Sequence, residues 1–253
     1  MKYYLYEHRK GVFVKGPEAT GAGGAQGGLR PAVLICPGGG YEIIGTTEGA
    51  PVAARFAGEG YAPFVLSYSV GDFAAYGEKG FAVFGPVLDL AAAMRLLKTR
   101  AGEFGIDPTR IALAGFSAGG HLAAAYSLSE SAAAVVPPDL LPAALMLVYA
   151  MGGGADTSGA GKAAGYEIAA MPFRADIRGA RSGAGKRLPV FLTHARDDTM
   201  VPFVCSERLD ERLAREGISH EFFALDHGVV HANPFEAGDA WFARMINWLG
   251  ENL

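Results

Sequence analysis

The chain has 253 residues, 50% of them hydrophobic and 19% charged, with a net charge of −4 and a pI near 5.9. That balance describes a globular chain with a large apolar core and excludes a disordered one. It also argues against nucleic-acid binding, which needs a basic stripe to replace phosphate counterions. The basic residues between 178 and 187 are dilute and glycine-rich, as in a solvated loop.

No stretch is apolar for long enough to span a membrane, and residues 1–10 lack the apolar run of a secretory leader. The two cysteines, Cys36 and Cys205, make no disulfide framework, so a reducing cytoplasm is the expected location. The length suits one domain over residues 1–253.

Along the chain, residues 2–6 and 11–15 read as edge strands, and the glycine- and alanine-rich residues 16–28 as a surface loop. From there, β-branched apolar runs alternate with longer helical segments. Strands are expected at 31–36, 63–67, 110–115, 143–149, 189–194 and 219–225. Helices are expected at 48–59, 86–103, 117–129, 203–216 and 234–249. This alternation predicts an α/β fold, with a mostly parallel central sheet, helices on both faces and ligands at the carboxyl ends of the strands. One long interruption, residues 151–187, opens on three glycines after Met151 and has the length of a lid over those strand ends.

The chemistry concentrates at Gly115-Phe116-Ser117-Ala118-Gly119. It lies between an apolar strand and a helical segment, the context of a nucleophile elbow. The turn is so sharp that only glycine fits two positions either side of the serine. The geometry exposes Ser117 and sets the N–H of Ala118 where an oxyanion would form. A serine hydroxyl needs a base within hydrogen-bond reach and a carboxylate to orient that base. Asp197 and Asp198 follow the 189–194 strand, and only one of them can face a histidine. Asp198 opens an Asp-x-x-Val-Pro segment that turns into the next helix, which favours it; the alternative is that both carboxylates cap that helix.

The base is His231 or His227, both in the loop after the last strand. Reach across the sheet end favours His231, while Gly228 after His227 eases a tight turn there. His194 at a buried strand end, His121 inside the elbow helix, His220 at a strand start and His8 near the terminus fit less well. No spacing of His or Cys suggests a metal site, and no cofactor is expected. A second oxyanion donor is expected from the glycine turn Pro37-Gly38-Gly39-Gly40-Tyr41, at Gly39 or Gly40. A phosphate loop would need a lysine and a Ser/Thr at fixed offsets, and none follows.

With these residues in place, the chain resembles the α/β-hydrolase superfamily, and within it the small acetyl esterase/lipase-like enzymes that include acetylxylan and feruloyl esterase-like proteins. The resemblance spans residues 30–250 and rests on Cys36-Pro37-Gly38-Gly39-Gly40-Tyr41, on Gly115 to Ala123, on Asp107 to Ile111 and on Asp198-Thr199-Met200-Val201-Pro202. It implies a serine carboxylester hydrolase with Ser117 as nucleophile, Asp198 as acid and no cofactor. Family members usually place the final histidine in a Gly-x-His-Gly-like segment, to which a residue has been added here. Those ending in His-Gly-x-His-Ala resemble this chain best, which implies His231. The expected partner is a small-molecule ester, an acetyl ester above all, with self-association into a homo-oligomer a further option. Two rival functions use the same residues: hydrolysis of an amide, formamide or peptide, and a non-catalytic binding module on a hydrolase scaffold.

Overall fold

A computed structural model describes residues 1–17, 28–71, 84–152, 168–177 and 187–253. Among these residues, eight strands form one sheet in the order β1-β2-β4-β3-β5-β6-β7-β8. These are β1 Lys2–Tyr4, β2 Phe13–Lys15, β3 Arg30–Cys36, β4 Ala62–Ser67, β5 Ile106–Phe116, β6 Leu145–Val148, β7 Val190–Ala195 and β8 His220–Leu225. β1 pairs antiparallel with β2, and β2 antiparallel with β4, while the pairings from β4 through to β8 are parallel.

Period-two alternation explains why both faces are covered. Leu34, Leu113 and Leu147 point into one core, and their neighbours Ile35, Ala112, Ala114, Met146 and Val148 into the other. The first core is closed by α2 (Phe84–Thr99), α4 (Ser117–Leu128) and α6 (Val204–Arg215), through Leu90, Leu122 and Leu209. The second is closed by α1 (Ala50–Gly58) and α7 (Ala240–Asn252), through Phe56, Trp241 and Met245. A strand buried on both sides must be apolar at nearly every position, as β6 is. Two short α-helices also occur among the described residues, α3 (Ala101–Phe104) and α5 (Glu130–Ala133).

Three sequence-based elements differ by more than a shift of one or two residues at an end. The helix expected at 86–103 is two helices, because the backbone leaves helical geometry at Arg100 (φ −108°, ψ 22°). The strand expected at 110–115 reaches back to Ile106 through a register shift opposite Arg30 and Ala32. The helix expected at 234–249 starts only at Ala240. Residues before it form turns, with the Asn233 N–H donating to Val230 and the Glu236 N–H to Asn233. Pro234 lends its carbonyl to the buried Trp241 indole N–H at 2.8 Å.

Most of the glycine-rich 16–28 stretch lies outside the described residues, as does most of 151–187. Within the latter, residues 168–177 pack into the first core. Ile168, Met171, Phe173 and Ile177 are buried, and the Arg174 N–H donates to the Leu128 carbonyl at the end of α4.

The order of strands fixes where a ligand can bind. From β3 the chain passes to β4 on one side, then returns to β5 on the other, so the direction of winding reverses between β3 and β5. Helices on opposite faces diverge at such a point and leave a crevice beyond the carboxyl ends of the strands. The strands that flank it end in Cys36 and Phe116, immediately before the glycine turn and the serine.

Candidate active site

Ser117 is the first residue of α4, entered directly from β5. Its φ of +51° lies in the left-handed region that costs a residue with a Cβ about 1–2 kcal/mol. Among the described residues, the other non-glycine positions with positive φ are Tyr41, Tyr149 and Ala232. All flank the same crevice: Tyr41 in the glycine turn, Tyr149 just past β6, and Ala232 beside His231. The turn closes because Gly119 has no side chain, since a Cβ there would strike the Cys36 and Pro37 carbonyls.

His231 reaches the serine from the β8–α7 loop. Its Nε2 lies 2.9 Å from Ser117 Oγ, and its Nδ1 lies 2.7 Å from Asp198 Oδ2. A carboxylate can only accept, so Nδ1 carries the proton and Nε2 is left to accept the serine hydroxyl. The Tyr149 ring lies beside the imidazole, with centroids 4.5 Å apart. The loop is tied to the glycine-turn side of the crevice by the Thr47 hydroxyl, which donates to the Ala232 carbonyl.

Asp198 is held from four directions. Oδ1 accepts the N–H groups of Met200 at 2.8 Å and Val201 at 2.9 Å, a local turn that aims the other oxygen at the histidine. Oδ2 also faces His194 Nε2 at 3.2 Å, and His194 Nδ1 in turn meets Ser206 Oγ at 2.8 Å. Burial pushes the Asp198 carboxyl up, but the hydrogen bonds from His194, His231 and the Val201 N–H outweigh it and hold the carboxyl well below the usual carboxylate range. Neither aspartate caps α6, whose N-terminal flanking residue is Phe203 with no side-chain cap.

The two residues weighed against these stand apart from the serine. His227 Nδ1 pairs with Asp197 Oδ2 at 2.8 Å, and both side chains are largely exposed. That pairing raises the His227 imidazole above its ordinary value, first through the hydrogen bond and then through the charge. His121, in α4, meets the Tyr41 hydroxyl with Nδ1 at 2.8 Å.

The glycine turn lies directly against the nucleophile: a Cβ on Gly38 would stand 2.7 Å from the Ser117 Cβ. The turn is pinned from beneath. Tyr68 donates its hydroxyl to the Pro37 carbonyl at 2.7 Å, and the Gly45 N–H donates to the Gly38 carbonyl at 2.9 Å. The Gly38 N–H is taken by the buried Glu48 Oε2 at 2.6 Å. The N–H groups of Gly39 and Gly40, at φ +117° and +63°, donate to no carbonyl among the described residues. The Ala118 N–H belongs to the first turn of α4, where amides have no partner inside the helix and the helix dipole favours negative charge. The crevice is thus bordered by the backbone of Gly39 and Gly40 on one side and of Ala118 on the other, beside a serine backed by an imidazole and a carboxylate. Such a set suits attack on a carbonyl carbon and the charge that follows.

No cluster of three or more His, Cys, Asp or Glu side chains that could hold a metal ion occurs among the described residues. Cys36 and Cys205 are both buried and form no disulfide with each other, and burial pushes the Cys36 thiol far up. No helix among the described residues is long and apolar enough to cross a membrane.

Two contributors have no functional reading from sequence, Glu48 and Tyr149, and His194 is weighed there only as a less fitting base. For His194, the spacing of four to Asp198 at the end of a strand was a usable signal. For Glu48 there was none, because its partners lie 10 and 101 residues away.

Comparison with known proteins agrees with this architecture. Residues 24–137 match the model of the BD-FAE family. Among curated proteins, the chain is 32% identical over 93 residues to endo-1,4-beta-xylanase B of Butyrivibrio fibrisolvens, covering 37% of this chain and 14% of that protein. It is 32% identical over 97 residues to the acetylxylan esterase of Xylanibacter ruminicola, covering 38% and 18%. The chain thus matches less than a fifth of the length of these curated relatives. Among solved structures, MGS-M1, an alpha/beta hydrolase enzyme from a Medee basin deep-sea metagenome library, is similar over 99% of this chain and 96% of its own. The two are 26% identical, with a TM-score of 0.72.

Proposed function

We propose that the chain, which has the α/β-hydrolase fold, is a serine carboxylester hydrolase acting on short-chain acyl esters, acetyl esters above all. The observation that carries the reading is the unbroken hydrogen-bonded series Ser117–His231–Asp198 at the carboxyl ends of the strands. In this reading Ser117 Oγ attacks the ester carbonyl as His231 Nε2 takes its proton. The carbonyl oxygen, now negative, is held by the N–H groups of Ala118 and of Gly39 or Gly40. Collapse expels the alcohol, which receives the proton from the imidazolium. Water activated by the same imidazole then releases the acyl group from Ser117. Asp198 stays ionised throughout and stabilises the imidazolium while fixing its tautomer.

The preference for an acetyl group is drawn from the likeness to the acetylxylan esterase. Location in the cytoplasm follows from the scarcity of cysteine and belongs to the same proposal. Turnover of p-nitrophenyl acetate, butyrate and octanoate tests the function, with Ser117→Ala as control. Activity that falls with chain length and vanishes in Ser117→Ala supports it. Wild type inert on all three esters but active on an anilide would replace it with amide hydrolysis.

A further inference from the structure

Glu48 precedes α1 at the carboxyl end of the sheet and is 1% exposed. Its two oxygens serve two different parts of the site. Oε2 accepts the Gly38 N–H at 2.6 Å, and Oε1 accepts the Tyr149 hydroxyl at 2.9 Å. Gly38 is the turn residue that touches Ser117, and Tyr149 is the residue whose ring lies beside His231. One buried carboxyl therefore ties the oxyanion side of the crevice to the base side.

Packing alone does not call for a carboxyl here. Taking one out of water is costly, and a glutamine would fill the same volume while still accepting from Gly38. A carboxylate differs from glutamine in two respects that matter to an acyl-transfer site: both its oxygens are acceptors, and it carries negative charge. Groups facing it come from four elements: Tyr149 after β6, His231 after β8, Tyr68 after β4 and the Gly38 amide after β3. Asp198, after β7, acts on the same Tyr149. His231 is the group among them that becomes cationic during the proposed reaction, and it is near enough to act electrostatically on Glu48.

We propose that Glu48 is a positioning residue for ester hydrolysis, fixing the oxyanion turn through the Gly38 N–H and steadying the His231 imidazolium with Tyr149 as its bridge. Engaging the Gly38 amide leaves the next two amides, of Gly39 and Gly40, for the substrate oxygen. Tethering the Tyr149 hydroxyl holds its ring, at a residue with φ +36°, against the imidazole. The inference rests on the hydrolase reading above and adds a second carboxylate to it.

The test compares wild type, Glu48→Gln, Tyr149→Phe and Ser117→Ala in steady-state kinetics on p-nitrophenyl acetate across pH, with thermal melting of each. Glu48→Gln is expected to lose about tenfold or more in kcat with KM within about twofold, as for a group acting mainly in the transition state. The acid limb of its kcat/KM profile moves to lower pH, because a negative charge beside the imidazolium is gone. A glutamate that only filled space would not move that limb. Wild-type kcat in Glu48→Gln, or a lowered kcat with the limb unmoved, overturns the proposal. Should Glu48→Gln fail to melt cooperatively, Tyr149→Phe decides: a lower kcat at unchanged KM supports the bridge, and wild-type kcat overturns it. An active Ser117→Ala would instead overturn the hydrolase reading itself.

Discussion

His231 Nε2 lies 2.9 Å from Ser117 Oγ, although 114 residues of chain separate the two. One comes from the β5–α4 junction and the other from the β8–α7 loop, and the sheet brings them together at its carboxyl edge. Removing either should abolish the reaction. Ser117→Ala and His231→Ala are each expected to lower kcat/KM by about a thousandfold or more. His227→Ala, removing an exposed imidazole paired with Asp197, should stay within about twofold of wild type. Parallel kinetics on p-nitrophenyl acetate check all three, and an inactive His227→Ala beside an active His231→Ala would reverse the assignment.

Asp198 links activity to acid stability. Its carboxyl is held below the ordinary value, so the folded state binds the proton less readily than the unfolded chain. The stabilisation is complete above the unfolded value near 3.8 and is lost as pH falls through the lower folded value. Asp198→Asn should therefore show a melting temperature less dependent on pH below about 4, along with a fall in kcat of about a thousandfold or more. Equal acid sensitivity in wild type and variant would contradict the linkage.

His194 was read from sequence as a buried strand-end histidine, and it is one, with no exposed surface. It also spans Asp198 and Ser206. Replacing it with alanine leaves a buried carboxylate short of a donor. Kcat should drop by about ten- to a hundredfold at nearly constant KM, because the loss falls on the support of the acid. Kinetics indistinguishable from wild type would make His194 a packing residue only.

The opposite linkage holds at Glu48. Burial raises its carboxyl, partly offset by the Gly38 N–H, the Tyr149 hydroxyl and His231. The folded state thus takes up a proton more readily than the unfolded chain, and stability declines as pH rises from about 4.5 through the raised value. Glu48→Gln should melt higher than wild type at pH 8, as measured by differential scanning calorimetry, and the two should converge below about pH 4.5. A variant that melts lower at pH 8 and higher at pH 4 would reverse the sign. Greater stability with lower turnover is the expected pattern for a residue kept for function.

The elbow itself is sensitive to a single methyl group. Gly119→Ala would press a Cβ into the Cys36 and Pro37 carbonyls, which belong to the sheet and to the oxyanion turn. Backbone on both sides leaves little room to relax, so a destabilisation of about 1–3 kcal/mol is expected in urea unfolding, together with loss of activity. An unchanged midpoint would show that the turn is looser than described.

The parts that could be read from sequence were those set by local rules. Alternating apolar runs predict the parallel sheet, and the G-x-S-x-G strand–helix junction locates Ser117, because sterics alone dictate those glycines. Boundaries were less legible where the backbone leaves a helix without Pro or Gly, as at Arg100, or where turns carry a helix-like pattern, as at 233–236. The choice between His231 and His227 depends on a turn from Val230 to Asn233 that only the packed loop reveals. Glu48 stands in the sequence only as the first residue of the helix expected at 48–59. Its partners are distant in sequence, and nothing local marks a glutamate for burial.

Mass spectrometry of the intact protein, quenched in acid during turnover of p-nitrophenyl acetate and followed by peptide mapping, tests the central claim most directly. One acetyl group on Ser117, absent from Ser117→Ala and cleared when substrate is exhausted, is the predicted result. Turnover at the wild-type rate with Ser117 unmodified, or an acetyl group that accumulates on another residue and clears with the substrate, would contradict the nucleophile and the mechanism built on it.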